Sequence, residues 1–158
     1  MVPTLRMSGE RKLVGQRLTM SFNDYKVGQL WQRFMPRRSE LRRTSDELIS
    51  MAVYSSTYFA AFSPSNQFEK WAAVEVANFD TIPTGMESFT LNDGLYAVFD
   101  YKGLSTDNAI FQYILGEWLP NSAYTLDNRP HFEILRSRYR NNRPDSEEEI
   151  WIPVNVRA

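Results

Sequence analysis

The chain contains no cysteine and a single histidine, His131, among its 158 residues. The lack of cysteine excludes disulfides, thiolate metal ligands and cysteine nucleophiles, and one histidine cannot supply a multi-histidine metal site. We therefore expect no metal and no cofactor. No apolar run approaches the ~20 residues that span a bilayer, and residues 1–12 lack the apolar core of a signal peptide. These absences predict a cytoplasmic protein without a membrane partner.

Motifs for catalysis are also missing. The sequence has no G-x-S-x-G element and no glycine-rich phosphate loop with its lysine, which are the common signatures of nucleophilic and phosphoryl-transfer sites. The sequence therefore favours a binding protein, with no catalytic residue assigned. The enzymatic alternative is a hydrolase that uses Glu133 as general acid or base.

Aromatic residues, by contrast, are plentiful at 14%, and hydrophobic residues make up 42% of the chain. This is enough for one packed domain, and surplus aromatic area often lines ligand pockets. The net charge of −1 hides an asymmetry, because residues 1–45 hold ten Lys or Arg but only three Asp or Glu. The basic segment Arg33–Arg43 could contact an acidic protein partner, although cations also accumulate at helix ends.

Two stretches of the chain nearly repeat each other. Residues 71–76 read WAAVEV and residues 151–156 read WIPVNV, 80 positions later. Upstream of each, FMP at 34–36 corresponds to WLP at 118–120, and apolar residues at helical spacing precede both prolines. Because proline ends a helix, each half is predicted to contain one amphipathic helix, at about 24–35 and 106–119.

Strand patterns surround both helices. They are predicted at 12–22, 47–55, 69–77, 85–91, 94–103, 131–139 and 148–156, with a further strand possible in 1–11 and a hairpin turn at 92–94. The fold is therefore predicted to be α+β, a single domain over residues 1–158. It would consist of two pseudo-symmetric βαββ modules, at about 1–80 and 81–158, that form a largely antiparallel sheet with helices packed on it. A ligand cleft is expected between the modules.

This pattern resembles the GyrI-like family of small-molecule-binding domains, which also form the effector-binding half of AraC-type and MerR-type multidrug regulators. The similarity covers about residues 12–156. It is carried by Tyr96, Gly103, Trp118-Leu119-Pro120, Phe132-Glu133 and Ile152-Pro153-Val154.

The resemblance implies an aromatic cleft between paired βαββ modules, with a glutamate at its base that receives lipophilic cations. Glu133 matches that position. The family also includes proteins that modulate gyrase and a branch that hydrolyses cyclopropane-containing genotoxins, so both remain alternatives. Only about a dozen residues precede the first predicted strand, which is too short for a helix-turn-helix, and no direct DNA binding is expected.

Glu133 is the central candidate for ligand binding. It lies in HFEILRSRY, residues 131–139, where neither strand face is cleanly polar, so alternation alone does not place it in solvent. One interpretation is a solvated strand face, and the other is a pocket carboxylate that receives a cation. His131 lies on the same face and could orient it, or could simply start the strand.

Aromatic side chains complete the predicted site, because the faces of Trp and Tyr attract organic cations. Trp118 is equally compatible with core packing, and Trp71 and Trp151 could flank the seam between modules. The acidic run at 147–149 is expected to be a solvated turn. The predicted ligand-binding residues are Glu133, Trp151, Trp71, Tyr101, Tyr54, Tyr96, Trp118 and Phe59.

Overall fold

A computed structural model describes residues 1–103, 109–136 and 147–158. Within these ranges nine strands and two α-helices are formed. The strands are β1 (Thr4–Ser8), β2 (Arg11–Met20), β3 (Leu48–Val53), β4 (Phe68–Val76), β5 (Glu87–Leu91), β6 (Gly94–Lys102), β7 (Tyr124–Leu126), β8 (His131–Leu135) and β9 (Glu147–Val156). Helix α1 (Val27–Phe34) continues into a 3-10 helix at Met35–Glu40, and helix α2 (Ala109–Tyr113) continues into a π-helical turn at Ile114–Trp118.

The strands form an antiparallel sheet in the order β1-β6-β9-β8-β3-β4-β2-β5, with β7 paired to the end of β9. Strands β3 and β8 are therefore the central pair. The predicted α+β class, a largely antiparallel sheet with helices packed on it, is confirmed. None of the helices in the described ranges has the length and apolar character needed to cross a membrane.

Both helices pack on the same face of the sheet, which we call the helix face. Leu30 and Phe34 of α1 are buried in one cluster with Val14, Ala72 and Val74. Ile110 and Ile114, from α2 and the turn that follows it, are buried in a second cluster with Phe99, Ile150 and Ile152. Each such apolar side chain contributes about 1.5–3 kcal/mol by leaving water. Two separate apolar clusters therefore lie on either side of the β3–β8 seam.

The opposite face, which we call the inner face, curls around a third apolar cluster that contains residues from both ends of the sheet. Four strand spacings separate β2 from β9 in the sheet order, roughly 19 Å in a flat sheet. The Arg11 guanidinium of β2 nevertheless lies 5.2 Å from the ring centre of Trp151 on β9. Gly15 permits close contact on this face, since a Cβ there would lie 2.0 Å from the Ala72 carbonyl oxygen.

The turn at 92–94 connects β5 to β6, but the predicted hairpin there is wrong. β5 pairs with β2 and β6 pairs with β1 and β9, so the two strands lie toward opposite ends of the sheet order. Curling of the sheet brings its ends close enough for a two-residue connection. The local turn chemistry was therefore correct, while the pairing was decided by curvature.

Most predicted element positions agree with the structure to within a few residues. The α-helix in the first half ends at Phe34, and Pro36 lies in the first turn of the 3-10 helix, where its missing N–H costs nothing. The predicted helix start at 106–108 and the strand end at 137–139 lie outside the described residues.

Candidate functional site

Glu133 lies at the centre of the helix face, on the seam between the two apolar clusters. It pairs with Ser50 on β3 and with Ile150 on β9, and cross-strand partners project to the same face. Ala52, two residues after Ser50, belongs to the α1 cluster, and Ile150 belongs to the α2 cluster. The carboxylate therefore lies between the apolar cluster packed under α1 and the apolar cluster packed under α2.

Glu133 is largely removed from solvent. Its side chain is 19% exposed, and its Oε1 lies 4.0 Å from Nζ of Lys70 on β4. Lys70 is itself only 8% exposed. A contact of 4.0 Å is an ion pair but is too long for a hydrogen bond. The pair thus partly balances the Glu133 charge and leaves room for closer donors.

A second carboxyl group, that of Glu148, faces Glu133. Leu135 pairs with Glu148 and Glu133 pairs with Ile150, so the two glutamates are diagonal neighbours on one face of β8 and β9. Glu148 is buried, and its Oε2 atom receives no hydrogen bond from the described residues. Burial, then the charge of Glu133 and a hydrogen bond with it, raises the pKa of Glu148 to about 9. At neutral pH Glu148 is therefore protonated.

Aromatic rings cover this end of the seam. The loop after β3 places Tyr58 and Phe59 over Tyr54, with ring centres 4.6 Å and 4.9 Å from that of Tyr54. His131 stacks on Phe59 at 5.3 Å and meets Tyr54 edge-on at 5.0 Å. Burial and the nearby Lys70 ammonium lower the pKa of His131 to about 3, so its ring is neutral and belongs to the aromatic cover.

Burial also raises the pKa of Tyr54, with smaller effects from Tyr58 and Glu133. Tyr54 therefore keeps its proton. Its neutral ring contacts that of His131, two residues before Glu133 on the same strand face. This combination of an aromatic face and an anion attracts organic cations.

A cleft of about 390 Å³ has Glu148 in its wall, while Glu133 is not among its described lining residues. Its described lining comes entirely from the second half of the chain: residues 100–102, Ile134, Arg136 and residues 147–149. Tyr101 also lines this cleft, directly opposite Glu148 in the register of β6 and β9. The volume falls within the range of small-molecule sites.

Of the residues predicted from the sequence, Tyr54 and Phe59 are brought together around His131, which lies two residues from Glu133 on the same strand face. Tyr101 lies opposite Glu148. The other four lie elsewhere. Trp71, Trp151 and Tyr96 are buried in the cluster of the inner face, on the other side of the sheet from Glu133. Trp118 packs edge-on against Phe99 at 5.3 Å and stacks on Tyr124 at 6.2 Å.

Two residues of this cluster, Lys70 and Glu148, were missed by the sequence reasoning. The expectation that 147–149 form a solvated turn is wrong, because Glu148 and Glu149 are buried within β9. A signal for this burial was present in the sequence, because the apolar run IWIPV follows the acidic run directly. If the strand begins within the acidic run, consecutive glutamates project to opposite faces of the sheet, and both faces are buried. The Lys70 signal was weaker, since one lysine in an apolar strand is also compatible with an exposed end.

The basic segment Arg33–Arg43 contacts other parts of the same chain. Arg37 bridges Glu40 at 2.7 Å and donates to the Thr84 carbonyl, and Arg38 donates to the Met35 carbonyl. Arg42 and Arg43 are exposed. These contacts place part of the basic charge in the 3-10 helix, and a protein partner for the segment stays a prediction.

Comparison with known proteins identifies the fold and the family. The structure of SAV2435 bound to tetraphenylphosphonium superimposes with a TM-score of 0.73 at 20% identity, over 98% of this chain and 94% of that chain. A putative bacterial transcription regulation protein from Staphylococcus aureus MU50 gives a TM-score of 0.69 at 19% identity, over 98% and 99% of the two chains. These likenesses establish a shared fold.

The sequence comparison is more specific. The transcriptional regulator BrlR of Pseudomonas aeruginosa is 31% identical over 130 residues, which cover 81% of this chain and 46% of BrlR. The chain thus spans about half the length of that curated relative. The model of the GyrI-like small molecule binding domain matches residues 1–155.

A curled antiparallel sheet with two helices on one face, matched over residues 1–155 by that family model, defines a small-molecule-binding domain. The chain belongs to the GyrI-like small molecule binding domain family.

Proposed function

We propose that this protein binds amphipathic, aromatic, cationic small molecules at the seam between its helices, either to sense or to sequester them. The observation that carries the proposal is the position of Glu133, a largely buried carboxylate two residues from His131 on the same strand face, where the His131 ring contacts Tyr54 and Phe59. Apolar contact would supply most of the affinity, and Glu133 would supply the preference for positive charge.

The charge of Glu133 is only partly balanced by its neighbours in the fold. Buried charges are tolerated only when they are paired or hydrogen-bonded, and the Lys70 ammonium is 4.0 Å away. A lipophilic cation that enters between Glu133 and the aromatic rings would bring positive charge without the hydration cost of an ammonium. Tetraphenylphosphonium, present in the structure of SAV2435, is a cation of this kind, which supports the choice of ligand class.

The proposed ligand contacts are Glu133, Tyr54, Phe59 and Tyr101. Opening of the loop that carries Phe59 would expose the Tyr54 ring, and the cleft beside Glu148 would provide a path from solvent. Trp71, Trp151 and Tyr96 would act from the inner face by holding β4, β6 and β9 in their curled arrangement. Trp118 would act in the same indirect way, by packing on β6 through Phe99.

The test is a calorimetric titration of the protein with tetraphenylphosphonium. Glu133→Gln keeps the size and polarity of the side chain but removes its charge. We expect this variant to bind ten- to a hundredfold more weakly, about 1–3 kcal/mol, the range for losing a hydrogen bond or contact to a charged group.

The matched control is Glu117→Gln, which removes the same charge at an exposed position after α2. Its affinity for tetraphenylphosphonium should equal that of the unaltered protein. Equal affinities for Glu133→Gln and Glu117→Gln would refute the role of Glu133, and absence of binding by the unaltered protein would refute the ligand class.

The length of the relative bears on the biological use of this binding. Because the chain corresponds to about half of BrlR, the sensing form of the proposal is that ligand binding at the seam is relayed to a further segment or to a partner protein. In the sequestering form, binding would itself be the function. Both forms make the same prediction for Glu133→Gln.

A further inference from the structure

The carboxyl pair Glu133–Glu148 has a property that the proposed function does not use. The two side chains lie diagonally on adjacent strands of the helix face, and both are largely buried. Two carboxylates that share a low-dielectric site repel each other, which disfavours ionisation of both. Because a single ammonium, that of Lys70, lies beside the pair, the arrangement favours one proton on the two carboxyl groups.

The residues around the pair indicate which carboxyl holds that proton. Lys70 approaches Glu133 at 4.0 Å, so the ammonium lies beside Glu133. Glu148 has a buried Oε2 atom to which no described residue donates. A proton on that oxygen converts an unsatisfied acceptor into a donor. Glu148 is thus the member of the pair that carries the proton.

The other titratable groups that face the pair leave this balance unchanged at neutral pH. Tyr101 of β6 lies opposite Glu148, and Tyr54 follows β3 on the same face. His131 of β8 is neutral because burial and Lys70 lower its pKa to about 3. Arg136 is directed elsewhere, since it bridges Glu47 and Glu149. One ammonium, one carboxylate and one neutral acid together make a cluster with no net charge.

Building on the proposed function, we propose that Glu148 is a second acidic residue of the ligand site, and that it releases its proton to solvent when a cation binds at Glu133. A cation would give the buried cluster a net positive charge, which a low-dielectric site resists. Loss of the Glu148 proton restores neutrality, and the ligand then lies against two carboxylates. The protein would in effect exchange one proton for one organic cation.

This exchange makes binding depend on pH in a defined direction. When binding releases one proton, affinity rises about tenfold for each pH unit over which Glu148 is protonated in the free protein and ionised in the complex. We therefore expect the affinity for tetraphenylphosphonium to rise about tenfold between pH 7 and pH 8. The ligand is a quaternary cation that does not titrate, so the pH dependence belongs to the protein.

The decisive experiment is calorimetric titration with tetraphenylphosphonium in two buffers of different ionisation enthalpy, phosphate and Tris, at the same pH. The difference in observed enthalpy counts the protons released, and about one is expected for the unaltered protein. Glu148→Gln, which keeps a hydrogen-bond donor toward Glu133 but cannot ionise, should bind with no proton release and little pH dependence.

Glu117→Gln is the matched control, because Glu117 is an exposed glutamate that is not among the described residues lining the cleft. It should release the same number of protons as the unaltered protein. Binding of tetraphenylphosphonium without proton release would overturn the role of Glu148 and leave the proposed function intact. Absence of binding would refute the proposed function and the exchange together.

A measurement without ligand tests the starting state. Carbon-13 NMR of the glutamate side chains should show one carboxyl that remains protonated at pH 7, and this signal should be lost in Glu148→Gln. If every glutamate carboxyl in the unaltered protein is ionised at pH 7, there is no proton to release and the proposal is wrong.

Discussion

Glu148 and Glu149 are neighbours in β9, and each is 8% exposed, but they lie on opposite faces of the sheet. On the inner face Glu149 accepts a hydrogen bond from the Trp151 indole and an ion pair from Arg136 at 2.6 Å. On the helix face Glu148 meets another carboxyl group, and its pKa is raised to about 9 by burial and by Glu133. Because the two side chains are equally buried, the difference between Glu148 and Glu149 comes from the groups that each carboxyl contacts.

The comparison separates structural from functional polar groups. Glu149 is satisfied by donors that are part of the fold, which is the usual condition for a buried acid. Glu148 is left with an oxygen that no described residue satisfies, and such groups often mark sites that act on something else. On the inner face the acid is therefore bonded to groups that hold the strands together, whereas on the helix face the partner of the acid is a second acid.

The largest expected effect concerns the inner face itself. Trp151→Ala removes a buried ring that stacks on Phe132 at 5.1 Å and lies under the Arg11 guanidinium at 5.2 Å. We expect the free energy of unfolding to fall by about 3–5 kcal/mol, as measured by urea denaturation. A loss below about 1 kcal/mol would show that the inner face does not carry the stability assigned to it.

The next largest effect is the difference in unfolding free energy between variants of Glu149 and Glu148. Glu149→Leu leaves the Trp151 indole without its acceptor and removes one partner of Arg136, so unfolding should become easier by about 1–3 kcal/mol. Glu148→Leu removes a carboxyl that the fold does not satisfy, and replacing such a group by an apolar one is often neutral or stabilising. Urea denaturation of both variants at pH 7 measures the difference, and equal losses would contradict the comparison.

The smallest effect is a pH dependence of stability. The pKa of Glu148 is raised from 4.5 to about 9 in the folded protein, so between these values the folded state holds a proton that the unfolded chain lacks. Its contribution to stability is greatest below the unfolded pKa and is lost as pH rises through the folded pKa. The slope is at most about 1.4 kcal/mol per pH unit.

Unfolding of the unaltered protein and of Glu148→Gln should be compared at pH 6, 7 and 8. The unaltered protein should lose stability relative to the variant as pH rises. His131 works in the opposite sense, because its lowered pKa costs stability only as pH falls below 6.5 toward about 3. Parallel pH profiles for the two proteins would show that Glu148 ionises normally.

Much of the architecture could be predicted from the sequence. Period-2 alternation and the prolines at 36 and 120 located most strands and the helix ends, because these signals depend on neighbours along the chain. The near repeat of WAAVEV and WIPVNV corresponds to β4 and β9, which occupy matching places on either side of the central pair β3 and β8. The repeat as an origin of this arrangement stays a prediction.

Only part of the candidate site could be predicted from the sequence. Glu133 was identified because a carboxylate in an apolar strand needs an explanation, and the resemblance to the GyrI-like family supplied one. The positions of Trp71 and Trp151 could not be read from their spacing, since a shift of one residue moves a side chain to the other face of a strand. Lys70 could not be identified as a partner because β4 is far from β8 in sequence. Glu148 could not be identified because the pairing register of β8 and β9 decides which of the consecutive glutamates faces Glu133.

By itself, then, the sequence determined the strands, the two helices, the absence of thiol chemistry and the carboxylate at position 133, because each of these follows from residue type and local periodicity. Only the tertiary structure decided that the sheet curls and that Trp71, Tyr96 and Trp151 are buried on its inner face. It also decided that Glu148 and Lys70 lie close to Glu133. Those outcomes depend on pairing register and curvature, which bring residues together by the geometry of the whole sheet and leave no trace in any short stretch of chain.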